Sequence, residues 1–318
     1  MLKAYLQLFR IPNLASVIAD IVAGFLLAHG TFNHSYALLP LMVCSCLLYT
    51  AGMVLNDYYD LEQDRRERPH RPLPSGAIDL AWAGRLGYLL LGVGVLLAWP
   101  TGLIFSANED VPFFFAWRTG IVATILAVCI VAYDRWLKVT IAGPLCMGAC
   151  RCLNILLGVS VATVSAPASS TGDHWFTRAQ LAAAGAIGIY IAGVTLFAQT
   201  EAQESHRGGL LFATIVMGTG IILLANFPRW LPPDMFSAYT PRMPLLTYCL
   251  GAIIGWRCLR CIASPEPANV QVAVKTCLMS LIILDATIAL AVSNAAYSVG
   301  ILALLIPNVL LGRWIAST

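Results

Sequence analysis

Apolar stretches of about twenty residues recur along this whole chain with almost no charge inside them, and that decides what it can fold into. A bilayer core about 30 Å thick is crossed by about 20 residues of helix at 1.5 Å rise each. Ten stretches have that length, at residues 15–31, 36–55, 80–100, 113–133, 140–163, 178–199, 208–226, 242–261, 270–291 and 296–313. None alternates with a period of two, so helices rather than barrel strands are expected. In hydrocarbon the backbone finds no water, and a helix satisfies its N–H and C=O groups within one segment. The last two stretches are separated only by Ser293–Ala296, which fits a tight hairpin or one broken segment. The expected fold is all-α: a polytopic membrane bundle of nine transmembrane helices, or ten, forming one domain over residues 1–318.

Composition excludes the competing classes. The 318 residues are 59% hydrophobic and 11% charged, against roughly 25% charged in an average soluble domain, and the mean hydropathy is +0.77. A soluble enzyme, a nucleic-acid binder and a secreted disulfide scaffold are ruled out. The net charge of +3 says little, but its distribution sets the topology. One alternating set of loops and flanks holds fourteen Lys and Arg, from Lys3 and Arg10 through Arg65–Arg71, Arg135, Lys138, Arg207 and Arg257 to Arg313. The other set holds four: Arg118, Arg178, Arg229 and Arg242. The first set, with the N-terminus, is expected in the cytoplasm, and a bacterial-type plasma membrane is the expected location.

Residues Met1–Arg10 lack the pattern of a cleaved signal peptide. Leu2, Tyr5, Leu6 and Phe9 fall at helical spacing, which fits either an interfacial helix or the start of the first span. All ten cysteines lie in or beside apolar stretches, and none shows a zinc spacing with histidine partners. They are expected to pack as small hydrophobes. Cys146, Cys150 and Cys152, with Gly143, Gly148 and Ala149, also allow close helix approach.

The informative polar segment is Asn56–Gly76, NDYYDLEQDRRERPHRPLPSG. If the second span continues to Asp64, then at about 100° per residue Asp57, Asp60 and Asp64 lie near about 0°, −60° and −20°. One helix face would then carry three carboxylates beside Asn56. Such density calls for a cation, and hard oxygen ligands suit Mg²⁺, which binds through one or two carboxylates plus substrate phosphate. Arg68 and Arg71, each followed by proline, are donors for phosphate oxygens in an extended turn. A solvated loop of mixed charge is the plainer reading. Within the spans, Arg151 with Asn154 three residues on should face a cavity or pair with a carboxylate. Asp20 and Asp285 are expected to be helix-pairing partners of Arg151 or Lys275. His29, His34 and His174 fall on the far side and are expected to face water.

Asn56-Asp57-x-x-Asp60-x-x-x-Asp64, followed by Arg68-Pro and Arg71-Pro-Leu-Pro-Ser-Gly, resembles the first aspartate-rich motif of UbiA-type intramembrane prenyltransferases. The resemblance runs from about Pro12 to the C-terminus. It implies the UbiA prenyltransferase fold around a central cavity, with Mg²⁺ as cofactor and an isoprenyl diphosphate as donor to a small-molecule acceptor, aromatic or cyclitol/sugar-like. Tyr133–Lys138 is similar to the family's Tyr-Ser-x-x-Leu-Lys segment, with Asp134 in place of the serine, and implies that Lys138 meets the diphosphate. Where the family has a second Asp-x-x-x-Asp motif, this chain has Glu201, Glu204 and Ser205. The stretch Val194–Ala202 resembles the EboC-type branch.

The resemblance thus implies a metal set of Asn56, Asp60, Asp64, Glu201 and Glu204. Asp57, Asp60, Asp64 and Lys138 would be catalytic, and Asn56, Arg68, Arg71, Lys138, Arg151, Asn154 and Arg207 would bind diphosphate. Tyr58, Tyr59 and Tyr133 could shield an allylic cation; Asp57, Asp134 and His206 are candidate bases. A transporter, or a family member that binds without turnover, is the competing class, and the altered second motif is the feature favouring it.

Overall fold

The computed structural model describes residues 2–33, 35–105, 115–161, 175–199 and 207–315. Among these residues there are helices and no strands. A short helix α1 (Leu2–Leu8) precedes α2 (Leu14–His29), α3 (Leu38–Tyr59), the short α4 (Leu61–Glu67), α5 (Leu80–Phe105), α6 (Arg118–Arg135) and α7 (Gly143–Val159). Then follow α8 (Arg178–Gln199), α9 (Arg207–Asn226), α10 (Met243–Ala263), α11 (Pro267–Val292), α12 (Ala295–Ala303) and α13 (Leu305–Ile315).

Among the described residues, eight segments are long and apolar enough to cross a membrane: α2, α3, α5, α8, α9, α10, α11 and the pair α12–α13 taken together. The two other expected spans fall outside that measure for visible reasons. α6 carries Arg118, Asp134 and Arg135 within 18 residues, and α7 is 17 residues long. Outer helices turn Leu96, Ile104, Ile253 and Leu259 outward, as lipid-facing surfaces do.

Consecutive helices from α5 to α12 pack side by side, and α2 lies inside the bundle against α3, α7 and α11. The α2–α7 crossing is close because both helices present glycine. A Cβ on Gly24 would collide with the Ile155 carbonyl, and one on Gly158 would lie 2.5 Å from the Ile21 carbonyl. Small residues let backbones approach where hydrocarbon supplies no hydrophobic drive between helices. Gly30 ends α2 in the left-handed region at φ 68°, its N–H bonding the Leu26 carbonyl at 2.7 Å.

α1 is a separate helix and not the start of the first span. Arg10, at φ 47° and ψ 47°, breaks the chain between them, and Ile11–Asn13 forms a 3₁₀ turn into α2. The buried stripe of α1 differs from the expected one: Leu8 is fully buried and Leu2 is exposed. Ala4, Tyr5, Leu8 and Phe9 pack with Val54, Leu61, Leu73 and Ile78, which frame the acidic segment.

The α2–α7 crossing gives a direct test. Gly24→Leu is expected to destabilise the bundle by about 1–3 kcal/mol, while Gly185→Ala, which meets open space, leaves it unchanged. Thermal unfolding in detergent reads both.

Candidate active site

The acidic motif sits where α3 hands over to α4. The helix breaks at Asp60 (φ −88°, ψ 5°), yet Asp60 N–H bonds the Asn56 carbonyl at 2.9 Å and Asp64 N–H bonds the Asp60 carbonyl at 2.8 Å. Asn56, Asp60 and Asp64 therefore remain one turn apart across the break. After α4 the chain leaves helix at Arg68. The Arg71–Ile78 turn is closed by Ser75 N–H to Arg71 O at 3.0 Å and Ile78 N–H to Pro72 O at 3.2 Å.

The three carboxylates divide: Asp57 and Asp64 share Arg71, while Asp60 pairs with Lys138. Asp57 is buried and accepts from the Arg10 guanidinium at 3.0 Å and from Arg71 at 3.5 Å. Asp64, also buried, accepts from the same Arg71 nitrogen at 2.7 Å. Asp60 takes the Lys138 ammonium. Asp57 therefore balances two arginines and shares one of them with Asp64. Among the described residues no three His, Cys, Asp or Glu side chains converge as a metal cluster.

Arg10 was legible in the sequence only as a topology marker. A non-glycine residue in the left-handed region costs on the order of 1–2 kcal/mol. Burial works against its charge most strongly, but Asp57, Tyr49 and Asp64 together lift the guanidinium above its ordinary value. The 3₁₀ turn after it carries Pro12, the one local sign of a break there.

Lys138 follows α6 in a one-turn 3₁₀ helix, Leu137–Val139. One turn earlier, Asp134 is buried and its Oδ1 accepts from the Asn56 amide at 3.2 Å, whereas Oδ2 has no hydrogen-bond partner. The motif on α3 and the Tyr133–Lys138 segment thus meet twice, at Asn56–Asp134 and at Asp60–Lys138. Arg68 is exposed at the end of α4. Arg207 is exposed at the start of α9 and donates to the Ala263 carbonyl at 3.4 Å. Glu201, Glu204, Ser205 and His206 lie outside the described residues.

Below the motif, a cavity of about 100 Å³ lies between α2, α3, α6 and α7. Tyr133 and Asp134 line it, as do the apolar Val17, Met53, Leu126, Ile130 and Met147, and at its other end Ser45, Arg151 and Asn154. Arg151 lies about 12 Å along α7 from Gly143 at 1.5 Å per residue. It pairs with fully buried Asp20 on α2 and donates to Ser16 Oγ at 2.7 Å. Asn154 donates to the same Asp20 oxygen at 2.8 Å and accepts from Ser45. Asp285, fully buried on α11, faces this pair. Arg151 thus meets the expectation of a carboxylate partner for a charge inside a span, and both it and Asn154 line the cavity.

At the opposite end of the bundle, buried Arg118 donates to the Ser160 carbonyl at 2.8 Å, to the Val159 carbonyl at 3.2 Å and to the Trp175 carbonyl. It caps the C-terminus of α7, where a cation complements the helix dipole.

The UbiA prenyltransferase family profile matches residues 17–282. The chain belongs to that family. It resembles a digeranylgeranylglyceryl phosphate synthase of Sulfolobus acidocaldarius, 37% identical over 136 residues, covering 43% of this chain and 44% of that one. The chain thus spans less than half the length of that relative. A UbiA homologue from Archaeoglobus fulgidus, bound to DMAPP and Mg²⁺, superposes with a TM-score of 0.64 at 14% identity over 94% of this chain and 99% of that one. A structure of digeranylgeranylglyceryl phosphate synthase superposes with a TM-score of 0.61 at 21% identity over 94% and 98% of the two chains. These likenesses establish a shared fold.

The buried pair makes a prediction. Arg151→Met leaves Asp20 without its cation and is expected to cost about 3–5 kcal/mol. The double variant Arg151→Met/Asp20→Leu should recover most of that in thermal unfolding.

Proposed function

We propose that this protein transfers a prenyl group from an isoprenyl diphosphate to a small hydroxylated acceptor, with Mg²⁺, at the cytoplasmic face of the membrane. One observation carries the reading: Asn56, Asp60 and Asp64 stand one turn apart, facing Lys138 and Arg71, above an apolar cavity. The side rich in Lys and Arg carries this site, which supports the cytoplasmic orientation. The likeness to a homologue whose structure holds DMAPP and Mg²⁺ supports the donor and the ion.

The donor set fits the ion. Mg²⁺ needs only one or two carboxylates when substrate oxygens and water complete its shell. Lys138 on Asp60 and Arg71 on Asp64 already mark two places where these carboxylates require positive charge. Asn56, Asp60 and Asp64 would hold the ion, and Glu201 and Glu204 are proposed as a second set. When bound, the ion supplies Lewis-acid stabilisation of the leaving diphosphate.

The chain's own residues do the rest. Arg68, Arg71 and Lys138 donate charge-assisted hydrogen bonds to the phosphate oxygens as negative charge builds on them. The apolar cavity wall takes the first part of the prenyl chain and keeps water from the allylic carbon. Tyr133 lines the cavity one residue from Asp134 and can turn its ring to the positive charge that develops there. Asp134 lines the same cavity, and its unpartnered oxygen can accept the acceptor's proton. The EboC-type assignment and a bacterial plasma membrane belong to this proposal. The named relatives are archaeal, and a cyclitol- or sugar-like acceptor is what would set this chain apart from them.

Purified protein with Mg²⁺, labelled farnesyl or geranylgeranyl diphosphate and a small-metabolite extract is expected to release pyrophosphate. EDTA should stop the release. Asp60→Asn and Asp64→Asn should each lower it about 100-fold or more, and Lys138→Ala should raise the donor KM about tenfold. Full release by both aspartate variants would remove the metal assignment. Donor binding without release under any condition would leave a binding protein.

A further inference from the structure

Among the described residues, Arg10 is the one non-glycine residue with a positive φ. Glycine would adopt this turn without strain, so the sequence holds an arginine there for its side chain. That side chain reaches across to Asp57 on α3 at 3.0 Å. Asp57 is buried and also accepts from Arg71 at 3.5 Å, and Arg71 in turn donates to Asp64 at 2.7 Å. A chain of alternating charge therefore runs Arg10, Asp57, Arg71, Asp64, from the N-terminal turn to the acidic motif. The apolar contacts follow the same path, because Tyr5, Leu8 and Phe9 pack on Val54, Leu61 and Leu73, which flank Asp57, Asp60 and Arg71 in sequence.

The arithmetic of charge explains why Arg10 is needed. A buried carboxylate that loses one of two cations draws harder on the one that stays. With Arg10 present, Asp57 is satisfied at 3.0 Å, and Arg71 lies closer to Asp64 than to Asp57. Without it, Arg71 is the remaining partner of Asp57, and moving toward Asp57 takes it away from Asp64 and from any phosphate above it.

We propose that Arg10 is a positioning residue of the diphosphate site: by neutralising Asp57 it holds Arg71 at Asp64, so the strained turn between the surface helix and the first span sets donor affinity. This rests on the diphosphate reading given above. It goes beyond that reading in assigning a function to the N-terminal segment, none of whose residues up to Arg10 lines the cavity.

The test uses the full-length protein in detergent with Mg²⁺ and an unreactive farnesyl thiodiphosphate analogue, so binding is read whether or not turnover occurs. Arg10→Gln is expected to weaken analogue binding about tenfold and Arg10→Lys to restore much of it. Arg10→Gly, which relieves the backbone strain, should melt no lower than Arg10→Gln yet show the same binding loss. Adding Asp57→Asn to Arg10→Gln should recover affinity, since Arg71 is then no longer drawn away. If turnover is measurable, the donor KM should move and the acceptor KM should not.

Wild-type affinity in Arg10→Gly, or a binding loss that only follows the melting temperature across the variants, would overturn the positioning role while leaving the diphosphate site intact. Binding without turnover in the wild type would overturn the transferase reading alone, because the Arg10 series is still read by affinity. Failure of the wild type to bind the analogue would overturn both.

Discussion

A charge held in a low-dielectric bundle must have a partner, and most of the polar architecture of this protein follows from that demand. Asp20 has Arg151, Asp57 has Arg10 and Arg71, Asp64 has Arg71, and Asp60 has Lys138. The cost of burying an ion is several kcal/mol even after relaxation, which exceeds what ordinary packing contacts contribute one by one. Each pair therefore fixes the relative rotation of the helices that bring it together. Asp20–Arg151 pins α2 to α7 at the depth where their glycines let the backbones meet. Asp60–Lys138 and Asn56–Asp134 tie the end of α3 to the end of α6.

These two groups of pairs have different exposure and so different uses. The pair at Asp20 is closed: its acid is fully buried, and the arginine keeps 15% of its side-chain surface, toward the cavity. The pair at Asp60 is more open, with 21% exposure on the acid and 16% on the lysine. Water and ligand can compete for the second and scarcely for the first. The same side-chain chemistry serves as a rivet in one place and as an exchangeable contact in the other.

The helices and the polar motif were legible in the sequence because both have a period. Twenty-residue apolar runs read as spans, and Asn56, Asp60 and Asp64 read as one face since each is four residues from the next. Side-chain direction was less legible. The pairing of Asp60 with Lys138 spans 78 residues of chain, and no composition rule marks it. Arg10 was missed as a partner of Asp57 because 47 residues separate them, and a positive φ leaves no signature when glycine is not used. Arg151 is legible as a buried charge in need of company, with Asp20 among its candidates, and the packing of α2 on α7 selects that partner.

The first and last described helices, α1 and α13, meet beside the turn that carries Arg10. Gln7 on α1 donates to the Ile315 carbonyl at the end of α13 at 3.2 Å, and α13 packs on the turn that follows Arg10. A substitution in α13 can therefore reach Asp57 through the Arg10 turn, without passing through the core of the bundle.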